Sequence, residues 1–397
     1  MDPNQLYTDK TEQLPEKQTE KKGKIGKKGK IALIVVGVIL FLFVTVIAVG
    51  YGIFHHYFGM MQELPGGDIM AATPDSGDSA TLAPGTTATP SPTPLPTEAP
   101  DEPISPTLSP DEQNKVDDGL KNPDTNFDQY ATDVFNIMLV GIDNRDPKSF
   151  WGNSDTMILV SINTKKKVVT MTSFLRDTYA YVPGYEEPTR LNHAYARGYS
   201  PLMVAAFKQN YGIEINRCVV ANFYVLADFI EAIGGIDLDI TAAEIKVMNG
   251  YINEYNRLVG NPQGTDNLNE SAAGKIHVNG SQALAYCRVR YVGTDIARTG
   301  RQRTVILKAL EKAKSMSYTE ISGLASQFLP RVATDLTEGD CLMLLTQSLS
   351  LSKYKFQEMV FPETGTFRNA YISGMEVLVI ENLEANLQKW HSLVEGK

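Results

Sequence analysis

The sequence is poor in cysteine, poor in positive charge over most of its length, and free of internal repeats. Its 3 cysteines, Cys218, Cys287 and Cys341, are too few and too dispersed for a disulfide scaffold or a metal cluster, so we expect buried free thiols. The formal net charge of −9 argues against nucleic acid as a partner, because duplex binding depends on neutralising phosphates. What the chain does contain is one long apolar segment, one proline-rich segment and one dense run of arginine.

The apolar segment covers residues 31–54, which include no charged side chain. At about 1.5 Å per residue, it is long enough to cross a bilayer as a single helix. The preceding residues 1–30 are rich in lysine, whereas no Lys or Arg follows the segment until Lys115. This asymmetry predicts a single-pass membrane protein with a cytoplasmic N-terminus and an extracellular remainder. We expect a retained signal anchor, because a cleaved signal peptide has a shorter apolar core.

The proline-rich segment, residues 64–112, is dominated by Pro, Thr, Ser, Gly and Ala. Such a composition cannot bury a core and favours extended, polyproline-like spacing. We therefore predict an extracellular stalk over 55–130, which lifts a folded domain over 131–397 off the membrane. The core of that domain is predicted to cover 134–316.

Apolar strand patterns and amphipathic helix patterns are mixed along the domain. The predicted strands are 135–142, 156–162, 168–174, 236–240 and 375–380, and the predicted helices are 200–211, 223–233, 302–314 and 381–394. The pattern predicts an α/β fold, an αβα sandwich with a central mixed β-sheet, preceded by the single transmembrane helix.

Five arginines lie close together in this acidic chain, at Arg288, Arg290, Arg298, Arg301 and Arg303. The rigid fork of arginine binds two oxygens at once and stays charged, so the run indicates a phosphate or pyrophosphate site. The alternative is a solvated helix face with surface ion pairs. Helical spacing gathers Arg298, Arg301 and Gln302 beside the N–H groups of a helix start. Arg303 points off that face and is predicted to lie on the surface.

Charged residues also stand where predicted strands begin or end, a placement typical of ligand sites in α/β sheets. Asp143 ends the first strand and Asp155 begins the next, so an antiparallel hairpin brings the two carboxylates together. Paired carboxylates suit Mg²⁺, which completes its shell with waters and substrate phosphates. The alternative is that each aspartate caps a loop. Arg176 and Asp177 follow the third strand, where a local salt bridge is the alternative.

Seven stretches of the chain carry these charges in a fixed order. They are Val-Gly-Ile-Asp (140–143), Ser-Asp-Thr-Met-Ile-Leu-Val-Ser-Ile (154–162), Ser-Phe-Leu-Arg-Asp-Thr (173–178), Arg-Leu-Asn-His-Ala-Tyr-Ala (190–196), Gly-Gly-Ile-Asp-Leu-Asp-Ile (234–240), Ala-Leu-Ala-Tyr-Cys-Arg-Val-Arg (283–290), and Asp295 with Arg298, Arg301 and Gln302. Together they resemble the LytR-CpsA-Psr family of Gram-positive envelope enzymes.

The resemblance implies a phosphotransferase that moves an anionic glycopolymer, such as teichoic acid or a capsule-like polymer, from a polyprenyl-pyrophosphate carrier to peptidoglycan. It implies Mg²⁺, with Mn²⁺ as an alternative, held by Asp143 and Asp155. The implied pyrophosphate ligands are Arg176, Arg190, Arg288, Arg290, Arg298, Arg301 and Gln302. Catalytic roles fall to Arg176, Asp155 and Asp177, and the general base stays open between the two aspartates.

The chain departs from the family pattern at two places. Arg190-Leu191-Asn192 replaces Lys-Ile-Asn with its charge preserved, and 291–297 lacks the usual Asp-Tyr-Gly, which leaves the role of Asp295 open. A lipid carrier also needs an apolar tunnel, and the apolar face of helix 223–230 could line it. The alternative is that this face packs in the ordinary core. Two further functions stay open: a polyprenyl-pyrophosphate hydrolase with water as acceptor, and a non-catalytic, lipid-binding envelope regulator.

Overall fold

The computed structural model describes residues 52–66, 105–144, 146, 149–290, 292, 295–313, 315–348 and 353–397. The chain divides into two compact units, residues 1–54 and 55–397. The predicted membrane span lies outside the described residues apart from 52–54, as do the lysine-rich tail and most of the proline-rich segment. No helix within the described ranges is both long enough and apolar enough to cross a membrane.

The second unit alternates helices and strands along the chain. The helices are α1 Pro110–Lys121, α2 His193–Tyr211, α3 Phe223–Ala232, α4 Ala242–Val259, α5 Gly280–Arg288, α6 Asp295–Ala313, α7 Tyr318–Phe328, α8 Glu338–Ser348 and α9 Leu383–Val394. The strands are β1 Phe135–Ile142, β2 Ser154–Asn163, β3 Val168–Phe174, β4 Tyr179–Ala180, β5 Thr189–Arg190, β6 Arg217–Asn222, β7 Ile236–Ile240, β8 Gly274–Val278, β9 Val332–Thr334, β10 Lys355–Phe361, β11 Phe367–Ile372 and β12 Met375–Ile380.

The central sheet has six strands in the order β10-β3-β2-β1-β6-β9. β1 pairs antiparallel with β2 and parallel with β6, and β3 pairs parallel with β10, so the sheet is mixed. Val, Ile, Thr and Met fill β1 to β3, as suits strands in the middle of a sheet. The predicted strands 135–142 and 168–174 are confirmed in full, and 156–162 lies within β2.

Helices cover both faces of this sheet. Val140 and Ile142 alternate along β1 and join a core with residues of α2 and α9 on one face. Phe174 of β3 belongs to the same core, so its neighbour Ser173 points to the other face. There, the Nη1 of Arg303 on α6 donates to Ser173 Oγ at 2.7 Å. The predicted αβα sandwich with a central mixed sheet is therefore the observed architecture.

A second core lies outside the central sheet, where α3, α4, α5 and α6 pack with the β7–β8 hairpin. The predicted strand 236–240 is β7, and it pairs only with β8 among the described strands. Ile236, Leu238 and Ile240 are buried while the two aspartates between them are exposed. This alternation, with one wet face, is what a hairpin packed against helices requires.

The folded unit begins earlier than the predicted boundary at residue 131. Leu64 is 6% exposed within the main core, and Leu108 is 8% exposed against the β11–β12 hairpin. Burying these side chains removes apolar surface from water and so stabilises the folded unit. A stalk over all of 55–130 is therefore wrong for segments 55–66 and 105–130, which belong to the folded unit.

Candidate active site

The candidate site is centred on Asp155, the second residue of β2. Arg176, just after β3, donates from Nη1 to both Asp155 carboxylate oxygens at 2.9 Å. Asn192 also fixes the start of β2. Its carbonyl accepts from Ser154 N–H at 3.3 Å, and its Nδ2 donates to Asp155 Oδ1 at 3.4 Å. Asp155 is thus 9% exposed and fixed from two sides.

Two further guanidiniums reach the same carboxylate. Arg290 Nη2 lies 3.5 Å and Arg298 Nη2 lies 3.6 Å from Asp155 Oδ2. Arg290 follows the end of α5, and Arg298 lies in the first turn of α6. We call Asp155, Arg176, Arg290 and Arg298 the anion cluster. Three guanidiniums share one carboxylate, so these four residues carry an excess of two positive charges, which attracts an anion.

The electrostatics of the anion cluster appear in two pKa shifts. Burial opposes the ionisation of Asp155, but Arg176, Arg298 and Arg290 outweigh it and hold the pKa of Asp155 below its ordinary value of 3.8. Burial and the like charges of Arg176 and Arg298 lower the pKa of Arg290. Because 42% of the Arg290 side chain is exposed, the like charges are the firmer cause. A bound anion would relieve this repulsion.

The anion cluster opens to solvent at Arg290. The exposed side-chain fraction is 42% for Arg290, 14% for Arg176 and 2% for Arg298. An incoming anion therefore meets Arg290 first and the two more buried guanidiniums behind it.

Further positive charge flanks the cluster at Arg190, which lies in β5 rather than in a loop. Asp177 Oδ2 lies 3.4 Å from Arg176 Nε, and its Oδ1 lies 3.5 Å from Arg190 Nε. Nearby, burial and then the charges of Arg190 and Arg197 lower the pKa of His193 to about 4. The His193 imidazole is therefore neutral at neutral pH.

Asp143 and Arg288 are a second pair of charged residues near Asp155. Asp143 follows β1 and is exposed, while Arg288 Nη2 lies 3.3 Å from Glu254 Oε2 and its guanidinium stands 4.8 Å from the Tyr251 ring centroid. Desolvation by surrounding protein raises the pKa of Asp143 against the opposing charge of Arg288, and Asp155 adds to the rise.

The two predicted metal ligands, Asp143 and Asp155, fit a divalent cation only together with phosphate oxygens. Asp155 is close enough to Asp143 to help raise the pKa of Asp143. Among the described residues, however, no group of three or more His, Cys, Asp or Glu gathers as a metal site. Mg²⁺ is commonly held by one or two carboxylates plus substrate phosphates, so the pair is compatible with that ion.

A small pocket, open to solvent, includes Asp143 and Arg288 in its wall. Its other lining residues are Phe223, Tyr224, Tyr255, Leu258 and Leu284. Helix 223–230 is therefore divided, since its first two residues line the pocket whereas Ala227 and Ile230 are core. As it stands, the pocket has room for little more than a water molecule and does not hold a lipid chain.

Arg301 and Arg303 do not join the anion cluster. Arg301 Nε lies 2.7 Å from Glu244 Oε1, and its Nη1 and Nη2 donate to the carbonyls of Val289 at 3.1 Å and Val292 at 2.5 Å. Each guanidinium nitrogen of Arg301 thus has a protein acceptor, which does not support the prediction that Arg301 contacts pyrophosphate.

Arg303 is 8% exposed and its Nε lies 2.7 Å from Glu358 Oε2, so the prediction that it lies on the surface is wrong. The reason is that α6 packs this side chain against β3 and β10 of the central sheet. We call Arg301–Glu244 and Arg303–Glu358 the clamp pairs.

Gln302 is 4% exposed, and its Nε2 donates to none of the described residues. It lies one helical turn after Arg298, and its assignment as a pyrophosphate ligand stays a prediction. Sequence reasoning missed Asn192 and Glu254 as site residues. Asn192 carried a signal, because it directly precedes the first helical residue of α2 in the Arg-Leu-Asn stretch. Glu254 carried none, since α4 was not predicted from its pattern.

Comparison with known proteins now adds to this geometry. The model of the LytR_cpsA_psr family matches residues 107–390, well over half of the chain. The chain belongs to the LytR-CpsA-Psr family. The family match starts before the predicted core at 134 and includes the C-terminal hairpin and most of α9.

Curated relatives align with about half of this chain or somewhat more. An Enterococcus faecalis protein named polyisoprenyl-teichoic acid–peptidoglycan teichoic acid transferase TagU is 33% identical over 213 residues, covering 52% of this chain and 63% of that protein. The protein of the same name from Oceanobacillus iheyensis is 30% identical over 253 residues, covering 62% and 69%. The chain thus spans less than two thirds of the first of these relatives.

A solved structure supports the fold. The crystal structure of a Streptococcus agalactiae protein matches with a TM-score of 0.52 and 26% identity, over 68% of this chain and 90% of that one.

Proposed function

We propose that the protein is a phosphotransferase that moves an anionic glycopolymer from a polyprenyl-pyrophosphate carrier to peptidoglycan. The observation that carries this proposal is the anion cluster, with a small pocket nearby whose wall includes aromatic and leucine side chains. Three guanidiniums converge on Asp155 and open to solvent at Arg290, while Arg288 belongs to the pocket wall. A lipid-linked pyrophosphate combines the two chemistries, because it is a polyanion attached to an apolar chain.

The names of the relatives support the acceptor and the cargo. The Enterococcus faecalis and Oceanobacillus iheyensis proteins are named as teichoic acid transferases that act on peptidoglycan. We propose teichoic acid, or a similar capsule-like polymer, as the cargo of this chain.

In the proposed reaction, a sugar hydroxyl of peptidoglycan attacks the phosphorus that carries the glycan, and polyprenyl phosphate leaves. Negative charge develops on the phosphate oxygens, and phosphoryl transfer is accelerated mainly by positioning and by neutralising that charge. Arg176, Arg290 and Arg298 are placed for this role. Arg176 is already held by Asp155 and Asp177, so it needs little rearrangement when the substrate arrives.

Asp143 and Asp155 are the residues that would hold Mg²⁺, or Mn²⁺ in its place. When bound, the ion would supply further positive charge beside the phosphate oxygens. For the general base we propose Asp177 rather than Asp155. Arg176 occupies both Asp155 oxygens and the pKa of Asp155 is lowered, so Asp155 is a weak proton acceptor. Asp177 has a side chain that is 25% exposed.

We propose that this chemistry takes place outside the cell, with residues 31–54 as the single membrane anchor and residues 1–30 in the cytoplasm. The charge asymmetry around the apolar segment supports this orientation.

The test is a transfer assay with the full chain in detergent, Mg²⁺, a synthetic polyprenyl-pyrophosphate-linked saccharide and peptidoglycan fragments. We expect a phosphodiester-linked saccharide on peptidoglycan and release of polyprenyl phosphate. Arg176→Ala should abolish the product. Arg368→Ala is the matched control, because its guanidinium forms a partly exposed pair with Glu381 far along the chain.

The products separate the proposal from its competitors. A free phosphosaccharide formed with or without acceptor would indicate the hydrolase. Tight binding of the donor with no turnover on any acceptor would indicate a lipid-binding regulator. Unchanged transfer by Arg176→Ala would contradict the site assignment.

A further inference from the structure

We infer that the start of helix α2 and the loop before β2 form a saccharide subsite, which takes a sugar unit that carries a negative charge. The saccharide subsite consists of Trp151, Tyr185, His193 and Arg197. Three of these residues, Trp151, Tyr185 and Arg197, fall outside the seven stretches that resemble the family. The inference rests on the proposed function, because it places the sugar beside a pyrophosphate in the anion cluster.

Among the described residues, Arg197 is a partly buried cation without a carboxylate partner. Apart from the exposed Arg257, every other described arginine lies 3.6 Å or less from a carboxylate oxygen. The Nη1 atom of Arg197 is buried and bonds no acceptor within the described ranges. Burial lowers the pKa of Arg197, and the Tyr185 phenol opposes this change. Buried charges are normally paired, so Arg197 favours an incoming anion.

Tyr185 holds Arg197 in position. The Arg197 guanidinium stands 4.3 Å from the centroid of the Tyr185 ring, and the Tyr185 hydroxyl donates to the Arg197 carbonyl at 3.5 Å. A guanidinium over an aromatic face is a favourable arrangement. An incoming anion would therefore meet a cation that needs little rearrangement to bind it.

Trp151 adds an exposed aromatic face beside this cation. It is 39% exposed, although tryptophan is highly buried on average. Two hydrogen bonds hold it: its Nε1 donates to the carbonyl of Ala196 at 3.2 Å, and its own carbonyl accepts from Asn144 Nδ2 at 2.7 Å. Ala196 directly precedes Arg197, so the indole edge lies next to the cation in the chain. A sugar ring presents an apolar C–H face between its hydroxyls, and such a face packs on an exposed indole.

The saccharide subsite adjoins the anion cluster. Asn192, whose Nδ2 lies 3.4 Å from Asp155 Oδ1, precedes Arg197 by five residues, which is about 7.5 Å along a helix. Trp151 precedes Asp155 by four residues. The neutral imidazole of His193 offers a hydrogen-bonding group one helical turn before Arg197. A saccharide attached to a pyrophosphate in the anion cluster would thus meet a cation, an imidazole and an aromatic face.

The charge of Arg197 selects among sugars. An uncharged sugar would leave this guanidinium without a counter-charge, whereas a phosphate or carboxylate substituent would pair with it. Acidic saccharides of this kind occur in anionic glycopolymers and in peptidoglycan, so the experiment has to separate these two sources.

The first test uses the intrinsic fluorescence of the full chain in detergent. The chain has 2 tryptophans, and Trp390 is 2% exposed, so acrylamide quenches mainly Trp151. Three samples are compared: farnesyl pyrophosphate alone, farnesyl pyrophosphate linked to a phosphorylated disaccharide, and farnesyl pyrophosphate together with a muropeptide. The first of these fills the anion cluster without a sugar.

We expect farnesyl pyrophosphate alone to leave the quenching of Trp151 unchanged and a saccharide ligand to reduce it. Protection by the linked disaccharide assigns the saccharide subsite to the transferred glycan, and protection by the muropeptide assigns it to the acceptor. No protection by either ligand, or equal protection by farnesyl pyrophosphate alone, would overturn the inference. The readout requires no turnover, so it stays informative even if the proposed transfer reaction fails.

The second test measures the affinity of the protecting ligand by isothermal titration calorimetry. Arg197→Gln should weaken binding by about tenfold, because a charge-assisted hydrogen bond is lost, whereas Arg197→Lys should retain most of the affinity. Trp151→Ala should weaken binding in the same way, and Trp151→Phe, which keeps an aromatic face but not the bond to Ala196, should bind nearly as well as the wild type. Arg368→Gln is the matched control, because Arg368 forms a partly exposed pair with Glu381.

Farnesyl pyrophosphate provides the check on folding. Its affinity should be unchanged in all of these variants, because it does not reach the saccharide subsite. Wild-type affinity for the saccharide ligand in Arg197→Gln, or equal losses in Arg197→Gln and Arg197→Lys, would contradict a role for the charge of Arg197.

Discussion

Helix α6 carries two kinds of buried arginine within little more than one turn. Arg298 shares Asp155 with two other guanidiniums at 3.5 Å or less and itself lies at 3.6 Å. Arg301 and Arg303 each have a carboxylate of their own at 2.7 Å. Each clamp pair contains one guanidinium and one carboxylate, whereas the four residues of the anion cluster contain three guanidiniums and one carboxylate. The comparison separates arginines that each have a carboxylate of their own from arginines that gather around a shared one.

The difference follows from what burial demands of a charge. A buried guanidinium is tolerated when it is paired and its N–H groups have acceptors. The clamp pairs meet that requirement without a ligand, so they fix α6 to α4 and to the central sheet. In the anion cluster three guanidiniums lie around one carboxylate, and burial together with the like charges of Arg176 and Arg298 lowers the pKa of Arg290. Each prediction below tests one side of this contrast.

The largest expected effect is on a clamp pair. Arg301→Ala leaves the buried carboxylate of Glu244 without the guanidinium of Arg301. It should lower the free energy of unfolding by about 3–5 kcal/mol in urea denaturation. The control is Arg301→Met combined with Glu244→Gln, which removes both charges but keeps a Gln that can cap α4. Most of the stability should return in the double variant. An equal loss in both variants would show that the charge pair is not the cause.

The opposite behaviour is expected at the mouth of the anion cluster. Arg290→Ala should reduce transfer by about 10²–10³-fold, because one preorganised charge is lost where phosphate charge develops. Its free energy of unfolding should change by less than about 1 kcal/mol, since the side chain is partly exposed and surrounded by like charge. Steady-state kinetics and urea denaturation of the same samples measure both quantities. Wild-type activity together with marked destabilisation would assign Arg290 to the structural group instead.

Inorganic pyrophosphate offers a test that needs no turnover. At a hundredfold excess over its Kd it should stabilise the protein by about 2.7 kcal/mol, visible as a rise in Tm. The rise should disappear in Arg290→Ala and persist in Arg303→Lys, which keeps the positive charge of the clamp. A rise that persists equally in both variants would mean that the anion binds without regard to the cluster.

The smallest effect is a change in proton binding at His193. Its pKa, about 4 instead of 6.5, should rise when pyrophosphate neutralises the neighbouring arginines, and NMR of the 5 histidines can follow it. Because the pKa of His193 is lower in the folded state, the unfolded state binds the proton more readily. The free energy of unfolding is therefore at its full value above pH 6.5 and decreases as pH falls towards 4. His193→Asn should remove about 1 kcal/mol of this dependence, after allowing for partial exposure. A titration unchanged by pyrophosphate would contradict the excess charge.

The parts of the fold that the sequence predicted are those with local signals. The β1–β2–β3 meander, α3 and β12 follow from apolar runs bounded by charged or turn residues. Helix α4 was missed, and with it Glu254 and Glu244. The domain boundary failed for a different reason, because the proline-rich composition around Leu64 and Leu108 hides two short segments that bury apolar side chains. Composition is an average over many residues, whereas packing against a core depends on single side chains.

By itself, the sequence determined that arginines concentrate near strand-end aspartates and that the chain resembles a family of envelope enzymes. Only the tertiary structure decided which arginines share Asp155. Helical spacing gives the relative direction of Arg298, Arg301 and Arg303, but not what each direction meets. The partners Glu244 and Glu358 lie 57 and 55 residues away in the chain, so charge balance at each guanidinium is set by packing and not by local pattern.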